Sequence, residues 1–392
     1  MSSRTTWSYP TKIRFGAGCL DEVAGHCRSA GILRPLVVTD PGLAGLPLIG
    51  RILELLQAGG LQAAVFSDVS PNPLESNVTA GLAAFRAGGH DGVVAVGGGS
   101  ALDAGKTIAF MLPQTRPVWD FEDIGDNWKH AASDGIAPII AIPTTAGTGS
   151  EVGRAAVIAH DDTGAKKIIF HPRMLPVLAL EDPEVTVGLP PGLTAATGFD
   201  ALAHCLEAYC APGVHPMAEG IAVEGVRLVA TYLPRAVAQG DDIEARGMMM
   251  AAATMGATAF QKGLGAIHAL SHPIGSFHKT HHGRTNGVVM PYVLAFNRRA
   301  IEAKIARLAA YLELADPTFD GFLAWMRDLA TKLGIEPDLR ALGVDDSRLD
   351  ELVALALTDP TAGGNPVPLT EDRVRRLYRA CFDGVLPPAE EV

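Results

Sequence analysis

The feature that most constrains the fold is an apolar strand that runs into a series of glycines and then opens a helix. Val93–Val96 is apolar and mostly β-branched, Gly97–Ser100 follows it directly, and helical spacing begins after that. Further strand patterns alternate with helical patterns in the first half of the chain, at Leu36–Thr39, Ala63–Phe66 and Ile139–Ile142. Strands that alternate with helices in this way predict a parallel sheet with helices on both faces.

A change from alternating strand and helix patterns to long helical patterns divides the chain into two parts. Its 392 residues are too many for one simple core and suit two domains. Prolines punctuate Asp182–Gly192, and beyond that stretch amphipathic helical patterns are long and strand patterns are few. We therefore predict an α/β domain over 1–186 and an all-α, helical domain over 187–392.

The glycine series predicts a phosphate site. Backbone N–H groups can approach a phosphate closely where side chains are missing, and a helix N-terminus favours negative charge. The series departs from the dinucleotide fingerprint GxGxxG, because Leu102 stands where another glycine is needed. An isolated GGGS is more often a plain tight turn, but the strand before it and the helix after it favour the phosphate site.

Asp40, at the tip of an earlier strand, is the candidate ribose contact. A carboxylate there can accept hydrogen bonds from ribose hydroxyls and would repel a 2′-phosphate. The alternative is that Asp40 only starts the Asp-Pro-Gly turn, and the residues leave both interpretations open. A second polar loop, Thr144–Glu151, also follows a strand, so we expect its hydroxyls and small residues to line the same groove.

Charge and hydropathy narrow the range of partners. The formal charge of −11 argues against nucleic acid or an anionic membrane, because both attract clustered Lys and Arg. No apolar run reaches the ~18 residues of a membrane span, and the N-terminal segment has no apolar core of an export signal. The five scattered cysteines form no paired framework. We expect a cytoplasmic protein with reduced thiols.

A cluster of metal-ligating residues lies in the second half. Asp200 and His204 are four residues apart, which places them on one helix face, and His268 and His272 repeat the spacing. The stretch 266–292 holds five of the twelve histidines: His268, His272, His278, His281 and His282. Such oxygen and imidazole ligands suit Fe²⁺, Zn²⁺, Ni²⁺ or Co²⁺. Spacing alone makes both His268 and His272 ligands, and it leaves the choice between His281 and His282 open.

Together these motifs resemble the iron-containing (group III) alcohol dehydrogenase family. The stretches that carry the resemblance are GGGSALDAGK at 97–106, IPTTAGTGSEV at 142–152, DPEVTVGLPPGLTAATGFDALAHCLEAY at 182–209, HALSHPIG at 268–275, HHGRTNGVVMPYV at 281–293 and TDPTAGGNPVPLT at 358–370. The resemblance implies an N-terminal dinucleotide-binding α/β domain, a C-terminal helical metal-binding domain, and an active site in the cleft between them. It also implies a homodimer.

The resemblance assigns roles residue by residue. It places the metal on Asp200, His204, His268 and His282, with Fe²⁺ expected first and Zn²⁺ second, and it gives His272 a role in proton transfer. The cofactor-binding residues that it implies are Gly97, Gly98, Gly99, Ser100, Asp103, Thr144, Thr145, Thr148 and a lysine at Lys166 or Lys167. An acidic residue at the Asp40 position implies NAD rather than NADP.

The implied reaction is reversible hydride transfer between a small primary alcohol and NAD⁺, with the divalent ion as Lewis acid. One departure is visible: Phe260–Gly265 reads FQKGLG, whereas lactaldehyde- and propanediol-type members have a longer FNNAxLG-like segment beside the substrate, so substrate identity is not transferred.

A metal-free reductase of the maleylacetate type is one alternative. The other is a lyase of the dehydroquinate-synthase type, which has a similar two-domain arrangement but needs several basic groups, and only Lys262, Lys279 and Arg284 are candidates.

Overall fold

A computed structural model describes residues 7–9 and 11–390. The chain forms two compact units. Tyr9–Gly188 makes up the first, and the described residues from Leu189 onward make up the second together with Trp7 and Ser8. The units therefore separate within the proline-rich stretch that divides the sequence.

The first unit is built on a parallel sheet. Its strands are β1 (Lys12–Phe15), β2 (Pro35–Val38), β3 (Ala64–Phe66), β4 (Gly92–Gly97), β5 (Ile139–Pro143), β6 (Ala155–Ala159), β7 (Lys166–Phe170) and β8 (Leu178–Glu181). Six of them form one sheet in the order β1-β8-β5-β4-β2-β3, and every pairing in it is parallel. The remaining two, β6 and β7, pair with each other as an antiparallel ribbon, which the sequence patterns did not predict.

Helices cover both faces of this sheet. They are α1 (Val23–Ser29), α2 (Pro41–Ala44), α3 (Pro47–Ala58), α4 (Glu75–Gly88) and α5 (Gly99–Met111). Alternate residues of β4 enter two separate apolar clusters: Val93 packs with Phe110 of α5, and Val94 packs with Ile52 of α3. Because successive side chains of a strand point to opposite faces, this division means that the sheet is buried on both sides, as predicted.

The strand order creates a reversal beside β4. From β2 the chain moves outward to β3 and then returns to the other side of β2 to form β4. Ligands of open α/β sheets bind beyond the carboxyl ends of the strands where the order reverses. At this point Asp40 follows β2 after Thr39, and the glycines follow β4.

The second unit is helical, and no strand occurs among its described residues. Its helices are α6 (Pro191–Cys210), α7 (Pro216–Ala238), α8 (Ile243–Ala259), α9 (Ala266–His278), α10 (His282–Tyr311), α11 (Phe319–Lys332), α12 (Leu349–Thr358) and α13 (Glu371–Asp383). Side chains cap several of them, for example Asp242 at the start of α8 and Thr370 at the start of α13. The predicted all-α character is confirmed.

Among the described helices, none combines the length and apolar character needed to cross a membrane.

Candidate metal centre and nucleotide loops

Helix α6 supplies the first two residues of the candidate metal centre. Asp200 and His204 lie one turn apart on it, and both are buried, with 3% and 5% of their surfaces exposed. Nearly every residue of this helix after its first turn is buried against neighbouring helices. A carboxylate and an imidazole held so far from water need partners, because an unpaired buried charge is costly.

Helices α9 and α10 bring two more histidines to Asp200. Its Oδ1 atom lies 3.8 Å from Nε2 of His204 and 3.9 Å from Nε2 of His268. Nε2 of His282 lies 3.4 Å from the same oxygen. Ligand atoms about 2.1 Å from one tetrahedral ion are roughly 3.4 Å apart. Asp200, His204 and His268 offer ligand atoms that all lie within 4.8 Å of one another, so these three could hold a metal ion. His282 approaches the same oxygen of Asp200, and the assignment of all four as ligands stays a prediction.

A missing side chain allows α10 to begin against α6. A Cβ atom on Gly283 would lie 2.2 Å from the carbonyl oxygen of Ala196 and 2.9 Å from Cβ of Asp200. The backbone next to His282 can come this close only because residue 283 is glycine. The contact brings the start of α10 against α6, where Nε2 of His282 lies 3.4 Å from Oδ1 of Asp200.

Asn286 lies among the same ligand atoms. Its Nδ2 atom donates to Oδ1 of Asp200 over 2.8 Å and lies 3.2 Å from Nε2 of His282 and 3.5 Å from Nε2 of His268. Its Oδ1 atom is buried and has no hydrogen-bond partner in the described part of the chain. The sequence analysis missed this residue, although its position four residues after His282 places it on the same helix face.

Glu207 holds the far side of the His268 ring. Its Oε2 atom lies 2.6 Å from Nδ1 of His268, and its Oε1 atom accepts a hydrogen bond of 2.6 Å from the backbone N–H of Ile267. Burial disfavours the charged form of His268, but the charge and hydrogen bond of Glu207 outweigh it and raise the pKa of the imidazole. The sequence analysis missed Glu207 as well, although it follows His204 by three residues on α6.

His272 lies one turn beyond His268 and has a carboxylate partner of its own. Its Nδ1 atom is 2.8 Å from Oδ2 of Asp359, and its ring stacks on that of His282 with centroids 5.2 Å apart. Burial raises the pKa of Asp359, but the hydrogen bond and charge of His272, with hydrogen bonds from Thr361, leave that pKa below its ordinary value. An ionised Asp359 can only accept, so the proton of a neutral His272 sits on Nδ1. Its Nε2 atom is then a proton acceptor.

The remaining histidines of the stretch lie at the ends of the two helices. His278 is the last residue of α9, and His281 is the cap residue before α10. Burial lowers the pKa of His281. Among these five histidines, His268 and His282 each have a ring nitrogen within 4 Å of Asp200, at 3.9 Å and 3.4 Å.

In the first unit, the glycine series forms a loop between β4 and α5. Gly97 has a φ of 147°, which side chains disfavour, and α5 begins at Gly99. A Cβ atom on Gly99 would lie 2.7 Å from Cγ2 of Thr148, and one on Gly98 would lie 3.5 Å from Oγ1 of Thr145. The second polar loop thus packs directly on the glycine backbone, as expected for two loops of one groove.

Asp40 starts the turn with one carboxylate oxygen, and its other oxygen leaves the ribose interpretation open. Its Oδ1 atom accepts hydrogen bonds from the N–H groups of Gly42 and Leu43, so it caps the short helix α2. Its Oδ2 atom points the other way and would lie 3.5 Å from a Cβ atom on Gly97. One oxygen therefore builds the turn while the other borders the glycine loop. Its contact with ribose stays a prediction.

Asp103 is engaged within the protein. Its Oδ1 atom accepts from Oγ of Ser150 over 2.6 Å and lies 3.1 Å from Nζ of Lys106, while its Oδ2 atom accepts from the N–H of Val157. Lys106 is buried and also donates to the carbonyl oxygen of Ser150. These contacts brace the second polar loop against α5, and a direct contact of Asp103 with the cofactor stays a prediction.

The other predicted cofactor residues are distributed around these loops. The backbone N–H of Thr144 donates to the carbonyl oxygen of Gly97, and Oγ of Ser100 donates to that of Pro71. Both lysines lie on β7, and Nζ of Lys167 forms an ion pair of 2.7 Å with Glu122. Thr144 and Ser100 therefore border the glycine loop, whereas Lys167, like Lys166, belongs to the antiparallel ribbon.

Comparison with known proteins covers both units. The family model described as iron-containing alcohol dehydrogenase matches residues 10–183, and the C-terminal model of that family matches residues 194–382. A 4-hydroxybutyrate dehydrogenase of Cupriavidus necator is 41% identical over 379 residues, which are 94% of this chain and 97% of that protein.

Solved structures are similar over almost the whole chain. The crystal structure of a 1,3-propanediol oxidoreductase has a TM-score of 0.91 and 33% identity, covering 96% of this chain and 100% of that one. A sulfoacetaldehyde reductase from Bifidobacterium kashiwanohense in complex with NAD⁺ has a TM-score of 0.86 and 30% identity, covering 97% and 99%. The similarity therefore includes the helices that carry the histidine cluster.

Proposed function

We propose that this chain, which belongs to the iron-containing alcohol dehydrogenase family, catalyses reversible hydride transfer between a small primary alcohol and its aldehyde, with NAD as hydride carrier. The observation that carries the proposal is the cluster in which buried His204 and His268, together with partly exposed His282, converge on one oxygen of Asp200. Neither a non-catalytic nucleotide-binding protein nor a metal-free enzyme accounts for that cluster.

The donor set suits the metal that the family description names. One carboxylate oxygen and three imidazole nitrogens fit Fe²⁺ and also Zn²⁺, and we propose Fe²⁺ as the native ion. When bound, a divalent cation supplies the Lewis acidity that stabilises negative charge on the alcohol oxygen. Asp200, His204, His268 and His282 would hold it, and Asn286 would keep Asp200 in place.

His272 is the proposed proton acceptor. Because Asp359 receives the hydrogen bond from Nδ1, the Nε2 atom of His272 is free to take the proton that the alcohol releases on oxidation. The stacking of His272 on His282 supports this role, because it places the acceptor ring beside the proposed metal ligand. In the reverse direction the same atom would return the proton to the aldehyde oxygen.

NAD binding is assigned to the loops at the reversal of the sheet. Gly97, Gly98 and Gly99, with Ser100, offer backbone N–H groups at the start of α5 for the pyrophosphate. The free oxygen of Asp40 would accept from ribose hydroxyls and repel the 2′-phosphate of NADP. Around the same cofactor we place Asp103, Thr144, Thr145, Thr148 and one of Lys166 and Lys167.

These assignments give each half of the chain a different binding function. We infer that 1–186 is the dinucleotide-binding domain and 187–392 the metal-binding domain, which agrees with the sheet in the first unit and the histidine cluster in the second. We also infer a cytoplasmic location, where NAD is supplied, and a homodimer. A dimer would have about twice the chain mass of 41.0 kDa in light scattering.

The test pairs metal analysis with a screen of alcohols. Protein purified without oxygen is analysed for metal, and NAD⁺ reduction is followed with short primary alcohols, 1,3-propanediol and 4-hydroxybutyrate, the last two because similar proteins are named for them. We expect about one divalent ion per chain and activity that disappears after chelation and returns with Fe²⁺. No turnover with any alcohol or aldehyde, in either direction, would reject the dehydrogenase.

The activity of the chelated protein also distinguishes the dehydrogenase from a metal-free reductase. A metal-free reductase of the maleylacetate type would keep its activity after chelation. A lyase of the dehydroquinate-synthase type, which shares the expected domain arrangement, needs free basic groups for a phosphorylated, carboxylated substrate. Two of its three candidate basic residues are already paired, because Lys262 lies 2.8 Å from Glu219 and Arg284 lies 2.6 Å from Glu336. This pairing favours the dehydrogenase.

A further inference from the structure

We propose that Glu207 is a positioning residue of the metal centre, which sets the tautomer and the orientation of His268. The inference rests on the proposed metal binding and adds to it a residue outside the ligand set. Glu207 does not reach the ligand atoms itself. It acts on the opposite edge of one ligand ring.

The geometry leaves little freedom to either side chain. Glu207 and His268 are buried, with 7% and 2% of their surfaces exposed. Both oxygens of Glu207 are used at 2.6 Å, one by Nδ1 of His268 and the other by the N–H of Ile267. Because Ile267 and His268 are consecutive in the first turn of α9, the carboxylate fixes the helix start and the ring together.

The hydrogen bond decides which nitrogen faces the metal. A carboxylate can only accept, so the proton of a neutral His268 must sit on Nδ1 and Nε2 must carry the lone pair. Nε2 is the atom that lies 3.9 Å from Oδ1 of Asp200, on the side of the other ligands. Glu207 therefore presents His268 to the ion in the one neutral form that can bind through Nε2.

An amide at position 207 cannot reproduce this arrangement. Two donors from Ile267 and His268 face the side chain, and glutamine offers one accepting oxygen and one donating nitrogen. If its oxygen accepts from Ile267, its nitrogen donates to Nδ1 and forces the His268 proton onto Nε2. If its oxygen accepts from His268, its nitrogen opposes the N–H of Ile267. Either way the metal-binding form of His268 is disfavoured, with almost no change in volume.

The experiment measures metal affinity of the full chain without NAD or substrate. Zn²⁺ and Co²⁺ dissociation constants are obtained by chelator competition for the wild type and Glu207→Gln. We expect about 10- to 100-fold weaker binding in the variant, the range typical for loss of a residue that orients a metal-ligating histidine. An unchanged dissociation constant in a folded Glu207→Gln protein would overturn the proposal.

Asn365→Ala is the matched control. Oδ1 of Asn365 accepts from the N–H of Ala266 over 3.2 Å, so this change loosens the same helix start without touching His268. We expect it to lower the melting temperature of the metal-free protein while leaving metal affinity unchanged. An equal loss of affinity in both variants would mean that Glu207 acts only on helix stability, and would overturn the proposal.

A second measurement reads the tautomer of His268 directly in the wild type. With ¹⁵N-labelled histidine, the His268 ring of the metal-free protein is assigned by its loss in metal-free His268→Gln, and its nitrogen shifts report which nitrogen of the neutral ring carries the proton. The expected result is a protonated Nδ1, and a proton on Nε2 would contradict it. If the wild type binds no divalent ion, the proposed function itself fails. If it binds one and Glu207→Gln binds equally well, only the role of Glu207 fails.

Discussion

The two candidate sites are constructed in opposite ways. The nucleotide loops rely on missing side chains, since Gly97 takes a positive φ and Gly99 lies against Thr148. The metal centre relies on present ones, since a carboxylate and three imidazoles must converge from different helices. A site made of backbone depends on space and dihedral angles, whereas a site made of side chains depends on the identity and orientation of each ring.

The supporting contacts differ in the same way. In the first unit, Lys106 donates to the backbone carbonyl oxygen of Ser150 in the second polar loop, and Asp103 accepts from the Ser150 hydroxyl and from the N–H of Val157 on β6. In the second unit, Glu207 and Asp359 each hold Nδ1 of a histidine and so choose its tautomer. We therefore expect substitutions near the glycine loop to reduce cofactor affinity moderately. Substitutions at the metal centre should cause larger losses of metal binding or of catalytic rate.

The largest effect is expected from His268→Ala. Loss of this ligand should abolish stoichiometric metal binding and lower kcat/KM by roughly 10³-fold, because a Lewis acid contributes several kcal/mol to stabilising the transition state. Metal content and steady-state rates measure both effects, and NADH fluorescence should show intact cofactor binding. His278→Ala is the control from the end of the same helix, where we expect full metal content. A His268→Ala protein with one bound ion would refute the ligand assignment.

The next effect is expected from Asp359→Asn. Two donors of Thr361 occupy one oxygen of Asp359, so the new amide would turn its nitrogen toward His272 and move the ring proton to Nε2. We expect kcat to fall on the order of 10²-fold, the lower end of what acid–base catalysis contributes, with metal content unchanged.

Asp345→Asn is the control for that variant. Asp345 is an exposed carboxylate that accepts from the N–H and the hydroxyl of Ser347, so the same chemical change is made where the hydrogen-bond partner is not a histidine. Its rate should match the wild type. Full activity of Asp359→Asn across the pH range would remove His272 and Asp359 from the proton path.

Gly97→Ala should have a smaller effect, confined to the other site. Its φ of 147° strains any side chain, and the new Cβ would lie 2.7 Å from Cβ of Ala101. Strain of about 1–3 kcal/mol predicts a KM for NAD⁺ raised by about tenfold or more, with metal affinity unchanged. Gly50→Ala, on α3 with open space around it, is the control and should leave KM unchanged. A loss of metal in Gly97→Ala would contradict the separation of the two sites.

The smallest effect is expected from Asp40→Ser. Serine can still cap α2, so the change removes mainly the oxygen that borders Gly97. Losing a hydrogen bond of about 1 kcal/mol should raise the KM for NAD⁺ roughly fivefold, and loss of the negative charge should improve the use of NADP⁺. The ratio of kcat/KM values for the two cofactors is the measurement. An unchanged ratio would leave Asp40 with its structural role alone.

Much of the fold follows from local pattern. Apolar β-branched runs between turn residues are enough to identify β2, β4 and β5, because a strand buried on both faces is apolar throughout. The sequence patterns did not predict the ribbon of β6 and β7, because β6 reads AAVIA, in which three of five residues are alanine, and β7 begins with two lysines. The Asp-Pro-Gly turn that the sequence indicates is the first part of a short helix, which Asp40 caps.

The candidate metal centre was likewise predictable from local sequence only in part. Helical spacing was sufficient to pair Asp200 with His204 and His268 with His272, because residues four apart share a helix face. Spacing could not separate His281 from His282, which adjoin each other at a helix start. The packing of α10 against α6, with Gly283 close to Ala196, places Nε2 of His282 3.4 Å from Asp200, so His282 is the proposed ligand.

The composition and periodicity of the chain determined its two halves, its glycine loop and its candidate metal ligands, because these depend on residues near one another in sequence. The tautomers of the histidines were decided by partners far along the chain. Glu207 lies 61 residues from His268, and Asp359 lies 87 residues from His272. A hydrogen bond between such residues exists only after the helices have packed. Only the tertiary structure could therefore show which nitrogen of each ring is free to bind a metal or accept a proton.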